Sequence, residues 1–371
     1  MSSSTTRPTR ILWITNNAAP YRVPVWEALA ERAELKIRLL QPDETLLAEA
    51  RRSAEWTAVR ARSSGLDIGH LRTCSVGRGE RQYYALRESA RDLVASTDAV
   101  LLGAWESPAC WQVSLAAKRN GVRRVGFYES TRMSQHHQSG AIARARSRFF
   151  RSMDAVVVPG VAAADALRTL GVRPDRIIEG FNAVDVDRFA AVARRAPLGS
   201  GHRFIYIGQL ITRKNVDGLI RAFARCAAPG DSLTVVGAGD RRADLESLAR
   251  KEDQTGSIRF TGNVAYQDLP SLLAAHHTLV LPSHEEVWGL VINEALAAGR
   301  HVVVSDRAGV ALSVRDMPGV FVAKTDAPSL ATSLALAKEA WRGPISSPQI
   351  LKHTPAKFAG TFLVALQANP Q

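Results

Sequence analysis

Short, mostly apolar runs recur along this chain, and most give way to a longer stretch with helical periodicity. In the first half the runs fall at residues 11–15, 35–40, 99–102, 124–128 and 155–158, with helical patterns at 23–33, 84–95, 111–120 and 141–153. In the second half they fall at 204–207, 232–236, 258–260, 278–281 and 301–305, with helical patterns at 216–226, 242–251, 269–275 and 289–298. Strands with near-continuous apolar runs are covered on both faces, and helical crossovers supply that cover. The pattern predicts an α/β protein with two Rossmann-like, doubly wound parallel-sheet domains facing across a cleft. The length of 371 residues allows two domains of ordinary size. The small-residue, Pro- and Gly-containing stretch 190–202 reads as the linker between an N-terminal domain at 10–189 and a C-terminal domain at 203–350. Residues 43–79 are polar and carry no clear period.

Composition narrows the class. No apolar run approaches the length of a transmembrane helix. Residues 1–9 lack the apolar core of a signal peptide and read as a disordered lead-in. Cys74, Cys110 and Cys226 form neither a metal spacing nor a disulfide framework, which fits a reducing, cytoplasmic setting. The net charge is +13, from 48 Lys+Arg against 35 Asp+Glu. Such a surplus favours anionic partners: nucleic acid, an acidic membrane surface or phosphorylated ligands. The alternative is an arginine-rich composition without functional meaning. Part of the surplus is clustered, because Arg144, Arg148 and Arg151 share one helical face while Arg146 points toward the side of Phe149 and Phe150. Two readings follow: an interfacial helix in peripheral contact with an anionic membrane, or a solvated basic face with its phenylalanines packed inward.

The stretch 282–306 carries the most chemistry. Glu286 falls in a short loop after the run 278–281, and Glu294 lies eight positions on, inside a helix that starts near Gly289. The free N–H groups and dipole of a helix N-terminus attract anions. Acids at the same mouth can hold the hydroxyls of a ligand whose phosphates sit on those N–H groups, a combination that suits a nucleotide-sugar. Elsewhere, the strand at 204–207 runs into Gly208, Gln209 and then Arg213-Lys214, two cations able to neutralise a diphosphate. The strand at 232–236 runs into Gly237 and Gly239. No Asp-x-Asp pair sits at a strand end, as a metal site would need, so the expected chemistry is metal-independent.

The segment from Glu286 to Glu294, with its glycine and following strand, resembles the E-x7-E signature of the retaining glycosyltransferases called glycosyl transferases group 1, which have the GT-B fold. The likeness runs from about residue 10 to 309, and more weakly beyond. It implies transfer of a sugar from a nucleotide-diphosphate donor to a hydroxyl acceptor, with no cofactor and with the donor base, UDP or GDP, open. It further implies that Glu294 holds the ribose hydroxyls, that Glu286 faces the donor sugar, and that Gly289, Leu290 and Val291 offer N–H groups to the diphosphate. Lys214 matches the family's lysine, whereas Gln209 stands where arginine is usual, with Arg213 as a substitute. Gly237 and Gly239 match positions beside the nucleotide. In GT-B proteins the tail, here 351–371, crosses back onto the first domain.

The first domain is expected to bind the acceptor, a saccharide, a lipid-linked glycan or a small molecule. The loop Asn16–Pro24 lacks the Gly-Gly pair of many relatives and offers Asn16, Tyr21 and Arg22 instead; Tyr21 as a staple for the next helix is the plain alternative. Glu129, after the strand at 124–128, is the candidate polar or acid/base group there. Asn182 and Asp185 read as structural, Glu285 as solvated, His136 and His137 as exposed, and Trp288 as a packed aromatic. Two rivals stand beside the transferase. One is a GT-B epimerase or phosphorylase. The other is a basic binding protein for nucleic acid or membrane, although no aromatic-interleaved basic stripe lies on the strands, so no nucleic acid is expected.

Overall fold

The computed structural model describes residues 7–41, 65–77, 82–192, 201–253 and 255–367. Most of the lead-in, of the polar stretch 43–79 and of the linker 190–202 lies outside those residues.

The first sheet contains β1 (Arg10–Thr15), β2 (Glu34–Leu39) and β3 (Asp67–His70), while β4 (Thr73–Val76) and β5 (Tyr83–Leu86) form a separate antiparallel pair. β6 (Ala99–Leu102), β7 (Arg123–Phe127), β8 (Ala155–Val158) and β9 (Ile177–Glu179) complete the first sheet, whose order is β3-β2-β1-β6-β7-β8-β9. The second sheet is built from β10 (Arg203–Ile207), β11 (Ser232–Val236), β12 (Ile258–Gly262), β13 (Thr278–Leu281), β14 (His301–Ser305) and β15 (Val320–Ala323), in the order β12-β11-β10-β13-β14-β15. Every pairing in both sheets is parallel. These are two Rossmann-like domains. In each, the chain starts mid-sheet, winds outward one way and then returns to the other side, so the order reverses at β1/β6 and at β10/β13. The loops leaving those strands diverge and open a crevice, the place where such sheets bind ligands.

The packing explains the apolar runs. Along β1, Ile11 and Trp13 enter one buried cluster, while Leu12 and Ile14 enter another on the opposite face. β10 divides the same way, with Ile205 on one side and Phe204 and Tyr206 on the other. The helix Pro355–Gln367 lays Phe358 and Phe362 into the first domain's core, where Phe362 lies 4.7 Å from Trp13 and 5.4 Å from Phe127. The Arg123 guanidinium also donates to the Ala365 carbonyl at 2.9 Å.

Two local expectations are corrected. Residues 84–95 do not form one helix: Tyr83–Leu86 is β5, and a short helix, Ala90–Val94, starts only after Ser89, whose hydroxyl accepts from the Asp92 N–H. Residues 306–350, to which the sequence pattern assigns no element, contain β15 and the 13-residue helix Ala327–Glu339, capped by Asp326. In the helix Gly140–Arg151 the aromatics follow the second reading and pack inward. Phe149 and Phe150 are buried, and Arg146 is buried with them over the Trp105 ring.

Candidate active site at the crevice of the second domain

The loops after β10 and β13 meet at the reversal of the second sheet. The first makes a tight turn at Thr212–Lys214 and passes through Asn215, the one described non-glycine residue with positive φ, at 55°. Asparagine tolerates this left-handed conformation better than most residues. Its buried side chain donates to the carbonyls of Pro282 (2.9 Å) and Thr325 (2.8 Å), which ties the β10 loop to the end of β13. Lys214, one residue earlier, is thereby aimed across the gap and forms an ion pair with Glu286. Both side chains are nearly buried, with 11% and 13% of their surface exposed.

Glu286 is itself strapped down. Its carbonyl accepts from the Gly309 N–H at 3.0 Å, and the Trp288 carbonyl accepts from Val310 at 3.2 Å. Gly289 then turns the chain into the helix Leu290–Ala297 with φ at 99°; a Cβ there would lie 2.5 Å from the Leu281 side chain. The first N–H groups of this helix, those of Leu290 and Val291, have no carbonyl one turn earlier within the helix, as at any helix start. Glu294 lies one turn into the helix and is buried, at 7% exposure.

On the β10 side, Gly208 leaves room for the Tyr206 hydroxyl, which donates to the Gln209 carbonyl at 2.8 Å. Burial, and then the negative charge of Glu286, push the Tyr206 phenol upward, so it stays protonated and keeps that bond. The Gln209 side chain is exposed. Gly237 and Gly239 have a structural reason visible in the backbone: a Cβ on Gly237 would lie 1.9 Å from the Gly208 carbonyl oxygen, and one on Gly239 2.2 Å from that of Leu210. The two glycines let the β11 loop close against the β10 loop, joined by Leu210 N–H to Ala238 O at 2.9 Å. Arg213 is exposed; its guanidinium reaches the Glu285 carbonyl, and its own carbonyl accepts from His284.

The first domain contributes a second cluster. Arg22, 7% exposed, donates from Nη2 to both oxygens of Glu129 at 3.0 Å, with its guanidinium over the Phe127 and Tyr21 rings. Tyr21 is 37% exposed. The Asn182 amide lies 3.5 Å from Glu129. Asn16 stands apart: its carbonyl accepts from Gln41, and it is exposed. Asp185 caps the helix Val186–Ala190.

The structure therefore joins Lys214 to Glu286, and Arg22 to Glu129, each pair drawn from distant loops. Glu285 is not simply solvated, because it faces His136 of the first domain at 3.7 Å. Asn215 and Asn293 escaped the sequence reading. Asn215 sits beside a charged pair at a helix start, a signal that could have marked it. Asn293 looks like any polar residue in a helix.

Residues 195–344 match the family model Glycosyl transferases group 1. The matched region includes β10–β15 and the residues of the β10, β11 and β13 loops described above. The chain is 32% identical over 225 residues to the glycogen synthase of Mycobacterium tuberculosis, covering 57% of this chain and 54% of that one. It is 36% identical over 176 residues to the D-inositol 3-phosphate glycosyltransferase of Salinispora arenicola, covering 43% and 39%. The chain thus spans about half the length, or less, of these curated relatives. The crystal structure of Anabaena Alr3699/HepE in complex with UDP superimposes with a TM-score of 0.70 at 17% identity, covering 97% of this chain and 95% of that one. The architecture is the GT-B fold.

Proposed function

We propose that this protein is a glycosyltransferase that moves a sugar from a nucleotide-diphosphate donor to a hydroxyl acceptor with retention at the anomeric carbon. The observation that carries the reading is the Lys214–Glu286 pair at the crevice of the group 1 region, beside the helix mouth at Gly289. In this reading Lys214 and Arg213 neutralise the diphosphate, aided by the N–H groups of Leu290 and Val291, so that no metal is required. Gly208, Gln209, Gly237 and Gly239 border the nucleotide, Glu294 takes the ribose hydroxyls, and Glu286 faces the transferred sugar. The bond from the anomeric carbon to the diphosphate breaks with its electron pair staying on the diphosphate. The acceptor oxygen forms the new bond on the same face, and its proton passes to the leaving phosphate oxygen. Electrostatic stabilisation of the leaving group is the main enzymatic contribution, and one such contact is worth about 3–4 kcal/mol of barrier.

The acceptor side comprises Asn16, Tyr21 and Arg22, with Glu129 as the polar group nearest the reacting hydroxyl. A saccharide, a lipid-linked glycan or a small polyol fits this description, as does a donor with either uridine or guanosine. The similarity to a structure with bound UDP and to two sugar transferases supports the reading. We further propose a cytoplasmic protein that touches an anionic membrane through an open surface groove of about 800 Å³ lined by Arg144, Arg148 and Arg151.

The test is a panel of nucleotide-sugars screened by thermal shift, followed by assay of nucleoside diphosphate release. A donor raises the unfolding temperature by mass action, and release depends on added acceptor. Turnover of the donor without acceptor would favour the epimerase, phosphorolysis of a glucan the phosphorylase. Binding that responds only to salt and polyanions would overturn the enzyme reading.

A further inference from the structure

A packed aromatic at position 288 needs only a ring, yet this one carries a committed N–H. Trp288 is 4% exposed and sits between Glu286 and the helix mouth at Gly289. Its backbone belongs to the second domain, and its ring belongs to the interface. A Cβ on Gly160, at the end of β8, would lie 2.7 Å from the indole, so the first domain reserves this glycine for it. Phe181, from the segment after β9, meets the indole edge-on with centroids 5.1 Å apart.

The indole N–H begins a chain of polar contacts that crosses the domains. Trp288 Nε1 donates to Asn293 Oδ1 at 3.2 Å, and Asn293 Nδ2 donates to the Asn182 carbonyl at 2.7 Å. The side chain of the same Asn182 donates to Glu129 at 3.5 Å, and Glu129 is held by Arg22. Asn293 is fully buried and neighbours Glu294 in the helix. The chain therefore connects both ends of the donor-side turn, at Trp288 and at Asn293, to the carboxylate of the acceptor side. A buried N–H or amide left without its partner is costly, so the contacts favour one relative placement of the two domains over others.

We propose that Trp288, acting with Asn293, is a positioning residue that registers the donor helix against the acceptor-side Glu129–Arg22 pair. The proposal rests on the glycosyltransferase reading of the site. It predicts that a change in the first domain alters the donor grip in the second through Asn182 and Asn293, without touching the donor.

Isothermal titration with UDP and with GDP tests this, using the whole protein, Trp288→Phe, Glu129→Gln and the double variant. Trp288→Phe keeps an aromatic ring but removes the N–H together with the fused second ring, so the coupling seen in the double variant, and not the single loss, reports the hydrogen bond. Each single change should weaken binding of the tighter nucleoside diphosphate by about 2- to 10-fold, the worth of one hydrogen bond. The double variant should lose clearly less than the product of the two. Effects that simply multiply, or a Glu129→Gln protein that binds as tightly as the parent, overturn the strut and leave the transferase reading standing. A parent protein that binds neither nucleotide overturns both. Asn293→Ala would orphan two buried groups, so Asn182→Ser, which breaks only the link to Glu129, is the second variant should Glu129→Gln fail to fold.

Discussion

Lys214 and Glu286 are ion-paired although 72 positions separate them in the chain. The cation assigned to the leaving diphosphate and the acid assigned to the transferred sugar thus hold each other in place. On the proposed function, a diphosphate entering the crevice would compete with Glu286 for that ammonium. Lys214→Ala should weaken nucleoside diphosphate binding by about 10-fold or more, since hydrogen bonds to charged groups contribute about 1.5–3 kcal/mol. Glu294→Ala should weaken it comparably, and Glu285→Ala should leave it nearly unchanged. Titration calorimetry on the three variants decides, and equal binding by all of them would remove these residues from the donor site.

Gly218 offers a prediction whose sign opposes helix propensity. Alanine in a helix interior normally gains about 1 kcal/mol over glycine. Here a Cβ would lie 2.3 Å from the Asn215 side-chain oxygen, and Asn215 is the residue that ties the Lys214 loop to β13. Gly218→Ala should therefore lower the unfolding temperature and loosen nucleotide binding together. Calorimetric melting with and without UDP would show it, and a stabilised variant would refute the role given to Asn215.

At Gly289 the backbone has φ at 99° and the missing Cβ faces Leu281. Gly289→Ala combines a left-handed strain of about 1 kcal/mol or more with a clash. The expected result is a loss of at least about 1 kcal/mol in urea unfolding, with donor affinity reduced beyond what Glu285→Ala shows.

The second domain should also be acid-sensitive at the end of its sheet remote from the crevice. His202, His277 and His301 are buried at the amino ends of β10, β13 and β14, grouped around Trp341. His202 and His277 stack with centroids 4.6 Å apart, and the Arg203 N–H donates to His277 Nδ1, which must therefore be unprotonated. The charged groups facing them are Arg203, Arg300, Asp231 and Lys338. Burial first, and neighbouring positive charge second, lower His202 to about 3 and His277 to about 4, from an ordinary 6.5. Below pH 6.5 the unfolded chain then binds more protons than the folded one, so stability falls as the pH drops, by up to about 1.4 kcal/mol per unit for each histidine. Urea unfolding between pH 7 and 4.5 measures that slope, and His202→Gln should flatten it.

Legibility followed the locality of each signal. The runs at 155–158, 232–236, 278–281 and 301–305 coincide with β8, β11, β13 and β14, because central strands covered on both faces are mostly apolar along their length. β15 was missed although its four residues, VFVA, are all apolar, so the signal was in the sequence; in the fold it is an edge strand with Val322 exposed. The hairpin strand β5 was read as helix because its four residues show no period that a neighbouring helix would not also show.

By itself the sequence determined the two parallel sheets, the helix mouth at Gly289 and the spacing of Glu286 and Glu294, all of which are set by residues close together in the chain. Only the tertiary structure decided which cation meets which acid, that Glu285 faces His136, and that Trp288 is shared between domains. Those pairings depend on where the sheet order reverses and on how the two domains dock. No period or spacing encodes them, because the partners are brought together by packing and not by position along the chain.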